Sequence, residues 1–161
     1  GKAQVSETVF DLKALVQQLC KSFDHKAAAK NIAFNSIFDN NIPEKLFGDS
    51  LRLTQILTNL LDNAIKFSND NDFISIYVEL HNNKICDLII QDTGCGMTIA
   101  TQTELLKEDF SISKDYNNKN VGTGLGMQLC KSLITKNDGK LSIKSEINIG
   151  TKIIISLPFK T

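Results

Sequence analysis

The polar residues between Arg52 and Lys66 carry the first chemical signal in this sequence. Arg52, Gln55, Asn59, Asn63 and Lys66 recur three or four residues apart, so a helix would place them in one line. Any amphipathic helix needs a polar face, yet asparagine suits one poorly, because its amide competes for backbone hydrogen bonds. Asn59 and Asn63 offer neutral, hard amide oxygens, which can help hold Mg²⁺ while water and phosphate oxygens complete its octahedron. Lys66, one turn on, can meet the same phosphates as a point charge. A second pattern, Asp92-Thr93-Gly94-Cys95-Gly96-Met97, directly follows the apolar run 85–91. Gly94 and Gly96 read as turn positions with positive φ. A turn alone does not call for aspartate at the end of an apolar strand. A carboxylate there can accept a hydrogen bond from an exocyclic amine such as that of adenine, a charge-assisted bond of about 1.5–3 kcal/mol. In Gly122-Thr123-Gly124-Leu125-Gly126, exposed backbone amides at a helix N-terminus favour a phosphate chain. This is no Walker A loop, since no Gly-Lys-Ser/Thr follows, and no dinucleotide fingerprint, since a loop and not a strand precedes it. Gly150-Thr151 alone reads as an ordinary turn.

These groups need elements to position them. Phe10, Leu12, Leu15, Val16, Leu19, Cys20 and Phe23 predict an amphipathic helix over 10–23. Residues 32–38 read as a strand closed by Asn40, Asn41 and Pro43. Asp49 stands where an N-cap belongs, ahead of a long helix with Leu53, Ile56, Leu57, Leu60, Leu61 and Ala64 on its buried face. Residues 73–80 and 85–91 form a hairpin around Asn82-Asn83. Residues 98–107 are weakly helical, 109–121 read as a polar, Asn-rich loop, and a helix runs from 125 to 136, with Gly139 as its C′ residue. A last hairpin, 141–146 and 153–157, turns at Asn148 and Gly150. Interleaved helices and hairpins predict a two-layer α/β sandwich, one sheet with helices on one face.

Composition narrows the classes. The chain has 161 residues, 42% of them apolar, and its 18 basic and 18 acidic side chains cancel. That suits one domain with a real core and excludes disorder. A balanced charge argues against a nucleic-acid partner. No apolar run approaches the roughly 18 residues of a membrane span and no signal peptide opens the sequence, so a cytoplasmic location is expected. The cysteines, Cys20, Cys86, Cys95 and Cys130, form no C-x-x-C pair and read as reduced, buried thiols. His25 and His81 have no partner at metal-ligand spacing and read as surface residues. Arg52 is the single arginine, so anion binding must rest on lysine and backbone amides.

The four patterns occur in a telling order. N-L-L-D-N-A-I-K-F at 59–67, D-T-G-C-G-M at 92–97, G-T-G-L-G-M at 122–127 and G-T at 150–151 resemble the N, G1, G2 and G3 boxes of sensor histidine kinases. Gly48-Asp49-Ser50-Leu51-Arg52-Leu53 and Leu157-Pro158 resemble the same family, so the likeness spans roughly 10–159 and makes 1–161 one ATP-binding catalytic domain. The resemblance implies the Bergerat fold, a mixed, largely antiparallel sheet covered on one face by three helices. It implies ATP and Mg²⁺ as ligands, with Asn59 and Asn63 at the metal and Lys66 at the phosphates. Asp92 would receive the adenine amine, Gly94, Gly96 and Met97 would pass close to the base, and Thr151 would support the pocket through a water. Residues 98–121 would be the ATP lid, with Gly122, Thr123, Gly124, Leu125 and Gly126 as its hinge.

The resemblance has departures. The lid arginine of hybrid-type relatives is replaced by Asn118, leaving Lys119 beside it as the cation, and the F box is reduced to Phe110. The acceptor histidine of the family lies on a dimerising helical hairpin, which neither His25 nor His81 matches. The implied function is therefore to bind Mg-ATP and donate its γ-phosphoryl to a histidine on a separate domain of a two-component kinase. A receiver domain or response regulator would follow, the parent protein could be anchored in the inner membrane, and this piece alone is expected to be monomeric. Relatives of the gyrase, HSP90 and MutL type carry a water-activating glutamate where Asn59 stands, so hydrolysis should be slow. The alternatives are a non-catalytic nucleotide-sensing regulator and a partner-switching serine kinase.

Overall fold

The structure, a computed structural model, describes residues 7–81, 85–106 and 124–159, without the side chains of 104–106 and 124–129. In chain order the elements are β1 (Thr8–Phe10), α1 (Leu12–Ser22), α2 (Asp24–Ala29), β2 (Ala33–Phe38), β3 (Leu46–Gly48), α3 (Ser50–Phe67), β4 (Phe73–His81), β5 (Ile85–Asp92), α4 (Ile99–Leu106), α5 (Gly124–Lys136), β6 (Lys140–Glu146) and β7 (Gly150–Pro158). The main sheet has five strands in the order β2-β4-β5-β7-β6. Only the β2–β4 pair is parallel, and the rest are antiparallel. This is the mixed, largely antiparallel α/β sandwich the sequence predicts.

Alternation decides which face is covered. Ile74, Ile76 and Val78 of β4, Cys86, Leu88 and Ile90 of β5, and Ile153, Ile155 and Leu157 of β7 are buried. They share one core with Leu53, Ile56, Leu57, Leu60, Leu61 and Ala64 of α3, Leu12 and Val16 of α1, and Cys130, Leu133 and Ile134 of α5. Asp49 caps α3 as expected, its Oδ1 accepting the Arg52 N–H at 3.0 Å. At the other end Lys30 Nζ donates to the carbonyls of Ile65, Lys66 and Ser68 at 2.9, 3.2 and 3.0 Å. A cation there satisfies orphan carbonyls and complements the helix dipole.

Three local expectations change. The predicted helix over 10–23 is present as α1, but Phe10 belongs to a short strand, β1, ahead of it, and a separate helix, α2, follows. β1 pairs with β3 in a second, two-stranded sheet, a non-local pairing that three-residue strands do not advertise. The end of α5 is built around Asp138, not Gly139. Asp138 has φ 60 and donates to Thr135 O at 3.0 Å, while Gly139 donates to Ile134 O at 2.8 Å. This is a Schellman motif with Asp138 at C′ and Gly139 at C″. Gly139 is needed for space, since a Cβ there would lie 2.7 Å from Ser156 O and 2.6 Å from Leu157 Cδ2. Finally, Gly94 is not a positive-φ residue, whereas Gly96 is, at 74.

The two C-terminal positions of α5 should respond oppositely. Asp138→Gly relieves a left-handed residue and should stabilise the chain by roughly 0.5–1 kcal/mol. Gly139→Ala should destabilise it by about 2 kcal/mol or more. Urea unfolding of both variants checks the assignment, and a destabilising Asp138→Gly would contradict it.

Candidate functional site

Asp92 ends β5 in a slot that alternation reserves for apolar side chains. Register places Ile74, Asp92, Thr151 and Ser145 in one cross-strand row on the helix-covered face. Asp92 is 6% exposed and Thr151 7%. Burial pushes the Asp92 carboxyl up to about 6, with Asp72 adding to the rise, while N–H donation from Gly94 and Thr151 to its oxygens opposes it. The Gly94 bond to Asp92 Oδ1 is 2.9 Å. A single acid is thus held buried but within titration range of neutral pH.

The glycines beside it are there for close approach. A Cβ on Gly94 would lie 2.3 Å from the carbonyl oxygen of Phe67, the last residue of α3. Cys95 N–H donates to that same oxygen at 3.1 Å, so the loop after Asp92 rests on the end of α3. A Cβ on Gly96 would lie 1.9 Å from Glu146 O, and one on Gly150, at φ 142, would lie 2.0 Å from Asp92 O. Asn148 N–H donates to Cys95 O at 2.8 Å. The loop is clamped between α3 and the β6–β7 turn.

The α3 stripe therefore runs up to the same loop. Arg52 Nη1 donates to Gln55 Oε1 at 3.1 Å, so the stripe's first members bind each other. Asn59 is half-buried and its side chain hydrogen-bonds Cys130, whose thiol burial raises to about 11. Asn63 is 9% exposed, and no hydrogen bond to its amide is seen among the described residues. A buried amide normally has a partner, so among the described residues Asn63 is a buried amide with unused capacity. Lys66 is exposed. The acid on α3 nearest to these residues in sequence, Asp62, is engaged by Lys26 Nζ at 3.1 Å.

The structure thus brings together Asp92, Gly94, Gly96, Met97 and Thr151 and seats their loop on the end of α3, the helix that carries Lys66, Asn63 and, one turn back, Asn59. Gly124, Leu125 and Gly126 lie in the first turn of α5. Phe110, Lys119, Gly122 and Thr123 fall outside the described residues, as does most of the expected lid. The cysteines are free. His81 is half-exposed on the other face of the sheet, 3.0 Å from Asp87 Oδ2.

Two residues of the site carry no motif signature. Ser145 Oγ accepts the Met97 N–H at 2.7 Å and contacts Thr151 Oγ1 at 2.8 Å. Gln102, on α4, donates from Nε2 to Met97 O at 2.9 Å and to Ser145 O at 3.1 Å. A readable trace existed for Ser145, a polar residue in the inward phase of β6 after Leu141 and Ile143.

Comparison with known proteins decides the family. Residues 48–161 match the model of the histidine kinase-, DNA gyrase B- and HSP90-like ATPases. The chain belongs to this family. Sensor protein EvgS of Escherichia coli O157:H7 is 33% identical over 163 residues, covering 98% of this chain and 13% of EvgS. Histidine protein kinase SaeS of Staphylococcus aureus (strain USA300) is 30% identical over 158 residues, covering 98% of this chain and 44% of SaeS. The chain thus spans less than half the length of each of these relatives. A nucleotide-free catalytic domain of the histidine kinase ThkA superposes with a TM-score of 0.80 at 25% identity, covering 97% of this chain and 99% of that one. Full-length ShkA in complex with AMPPNP shares the fold, with a TM-score of 0.85 at 21% identity, covering 100% of this chain and 33% of that one. Within the ATPase family, then, this chain is similar to the catalytic domains of histidine kinases. Among the described residues no helix is long and apolar enough to cross a membrane.

Ionised Asp92 should cost the fold stability. Its folded pKa lies above the unfolded value, so the penalty is fully present above about pH 6 and fades as pH falls toward 3.8. Asp92→Asn keeps the oxygen that Gly94 binds and removes the charge. It should raise unfolding free energy at pH 7.5 by on the order of 1–2 kcal/mol, a gain that shrinks toward pH 4. Chemical denaturation at both pH values checks this, and a variant less stable at pH 7.5 would contradict it.

Proposed function

We propose that this chain binds Mg-ATP, with adenine against Asp92 and phosphates along the α3 stripe, and that the γ-phosphoryl passes to a histidine on a separate dimerising domain. The observation that carries this reading is Asp92 itself. A carboxylate at a buried sheet end, beside glycines that hold the backbone close, is matched to a ligand offering an N–H edge and a flat face. ATP binding is the general property of the family, and the adenine amine supplies such a donor.

The other residues take roles consistent with their placement. The buried amide of Asn63, without a partner among the described residues, fits a hard cation or its water shell, and Asn59 lies one turn away on the same face. Bound Mg²⁺ would neutralise charge on the triphosphate, as phosphoryl transfer generally requires. Lys66 would add a point charge, and Lys119 with the 122–126 backbone would complete the phosphate end. Asn59, Asn63 and Lys66 offer no carboxylate, and Asp62 is engaged by Lys26. That supports transfer to another domain over activation of water, because the described residues of the stripe offer no general base to a water. Positioning and charge stabilisation are then the chain's whole contribution. A receiver domain or response regulator would be the next carrier.

Two measurements test the reading. With γ-labelled ATP, a histidine-bearing helical hairpin from a cognate kinase should become labelled when mixed with this chain, while the chain itself takes up no label. Label in the chain, or none in the hairpin, would contradict the proposal. Calorimetry with Asp92→Ala should show ATP binding weakened about 10- to 150-fold, the equivalent of one charge-assisted hydrogen bond. Unchanged affinity would remove Asp92 from the adenine site.

A further inference from the structure

The peptide of Met97 is held at both ends by groups that no box of the family motif contains. Its N–H donates to Ser145 Oγ at 2.7 Å. Its carbonyl accepts from Gln102 Nε2 at 2.9 Å, and the same amide nitrogen donates to the Ser145 carbonyl at 3.1 Å. Both amide protons of Gln102 are therefore committed to this junction. Ser145 is equally saturated. Its hydroxyl lies 2.9 Å from Gly150 O and 2.8 Å from Thr151 Oγ1. A carbonyl can only accept, so the one Ser145 proton goes to Gly150, and Thr151 donates its own proton to Ser145. The bonds form an unbroken chain from α4 through Gln102, Met97, Ser145 and Thr151 to Asp92, whose carboxylate accepts the Thr151 N–H.

Elsewhere on α4 the described side chains add no bond to the sheet. Thr98 caps it locally, its Oγ1 accepting the Thr101 N–H at 3.1 Å, and Ile99 is 81% exposed. Gln102 is thus a principal tie between this helix and the sheet among the described side chains.

We propose that Gln102 and Ser145 are positioning residues that make occupancy of the base pocket and the placement of α4 one equilibrium. The inference rests on the reading of 92–97 as the adenine pocket. A base packed on the 94–97 backbone immobilises the Met97 peptide and so strengthens its hold on Gln102. Linkage makes the effect reciprocal, so anything that moves α4 changes base affinity by the same factor. The base, not the triphosphate alone, would then report to the helix.

Adenosine, which lacks phosphates, isolates the base end. In the unmodified chain, saturating adenosine should slow amide hydrogen exchange across 98–106 by roughly two- to tenfold, the equivalent of one net hydrogen bond. Gln102→Glu keeps the size of the side chain but has no N–H to donate. It should still bind adenosine, and the slowing should vanish. Ser145→Ala should lose the slowing as well, while Ser145→Thr, which keeps the hydroxyl, should retain it. A residue with only a structural role would change exchange without ligand and leave the adenosine effect intact. Equal slowing in the unmodified chain and in Gln102→Glu would overturn the coupling. Adenosine that binds the unmodified chain without slowing 98–106 would overturn it too. No adenosine binding at all would overturn the pocket reading, and the coupling with it.

Discussion

The site depends on one costly placement, a carboxylate set into the helix-covered row of the central strands. Asp92 takes the position that Cys86, Leu88 and Ile90 fill with apolar side chains further along β5. Burying a charge is tolerated only with hydrogen bonds close by, and the surroundings are shaped to supply them. Gly94 and Thr151 turn their N–H groups inward. Gly94 brings the loop down onto the last carbonyl of α3, and Gly150 brings the β6–β7 turn against Asp92's own carbonyl. Neither contact would survive a Cβ.

The same placement joins what sequence separates. The loop after Asp92 is bonded to Phe67 O, which fixes the end of the Asn/Lys stripe next to the acid. Lys30, from the turn after α2, holds the neighbouring carbonyls, so the helix end is secured from the far side. Buried groups with unmet demand, Asp92 with its raised pKa and Asn63 without a partner among the described residues, lie at this junction. Burying such groups costs stability, a pattern more typical of a site than of a core.

Much of this was legible in the residues. Asp49 as an N-cap, the α3 stripe, both hairpins and the one-sided sheet follow from periodicity and capping chemistry. Asp92 stood out because it breaks an apolar alternation. What stayed hidden depends on distant pairing. β1 and β3 exist only because they meet each other, and three residues carry too little pattern to announce that. The role of Gly94 is set by a carbonyl on another element, so turn chemistry mistook a space requirement for a φ requirement. Gly139 misled in the same way, its left-handed role falling to Asp138. Gln102 sits in a helix of weak pattern, and its partners lie in the loop before it and on β6, so nothing local marks it.

The central claim is that Asp92 acts as a buried anion awaiting an N–H donor. A ¹³C-NMR titration of its carboxyl carbon, without and with saturating Mg-ATP, tests this most directly. The account predicts a pKa of about 6 in the free chain and a clear fall when ATP is bound, because a donor to the ionised form stabilises it. A pKa that ATP leaves unchanged, or raises, would contradict the account.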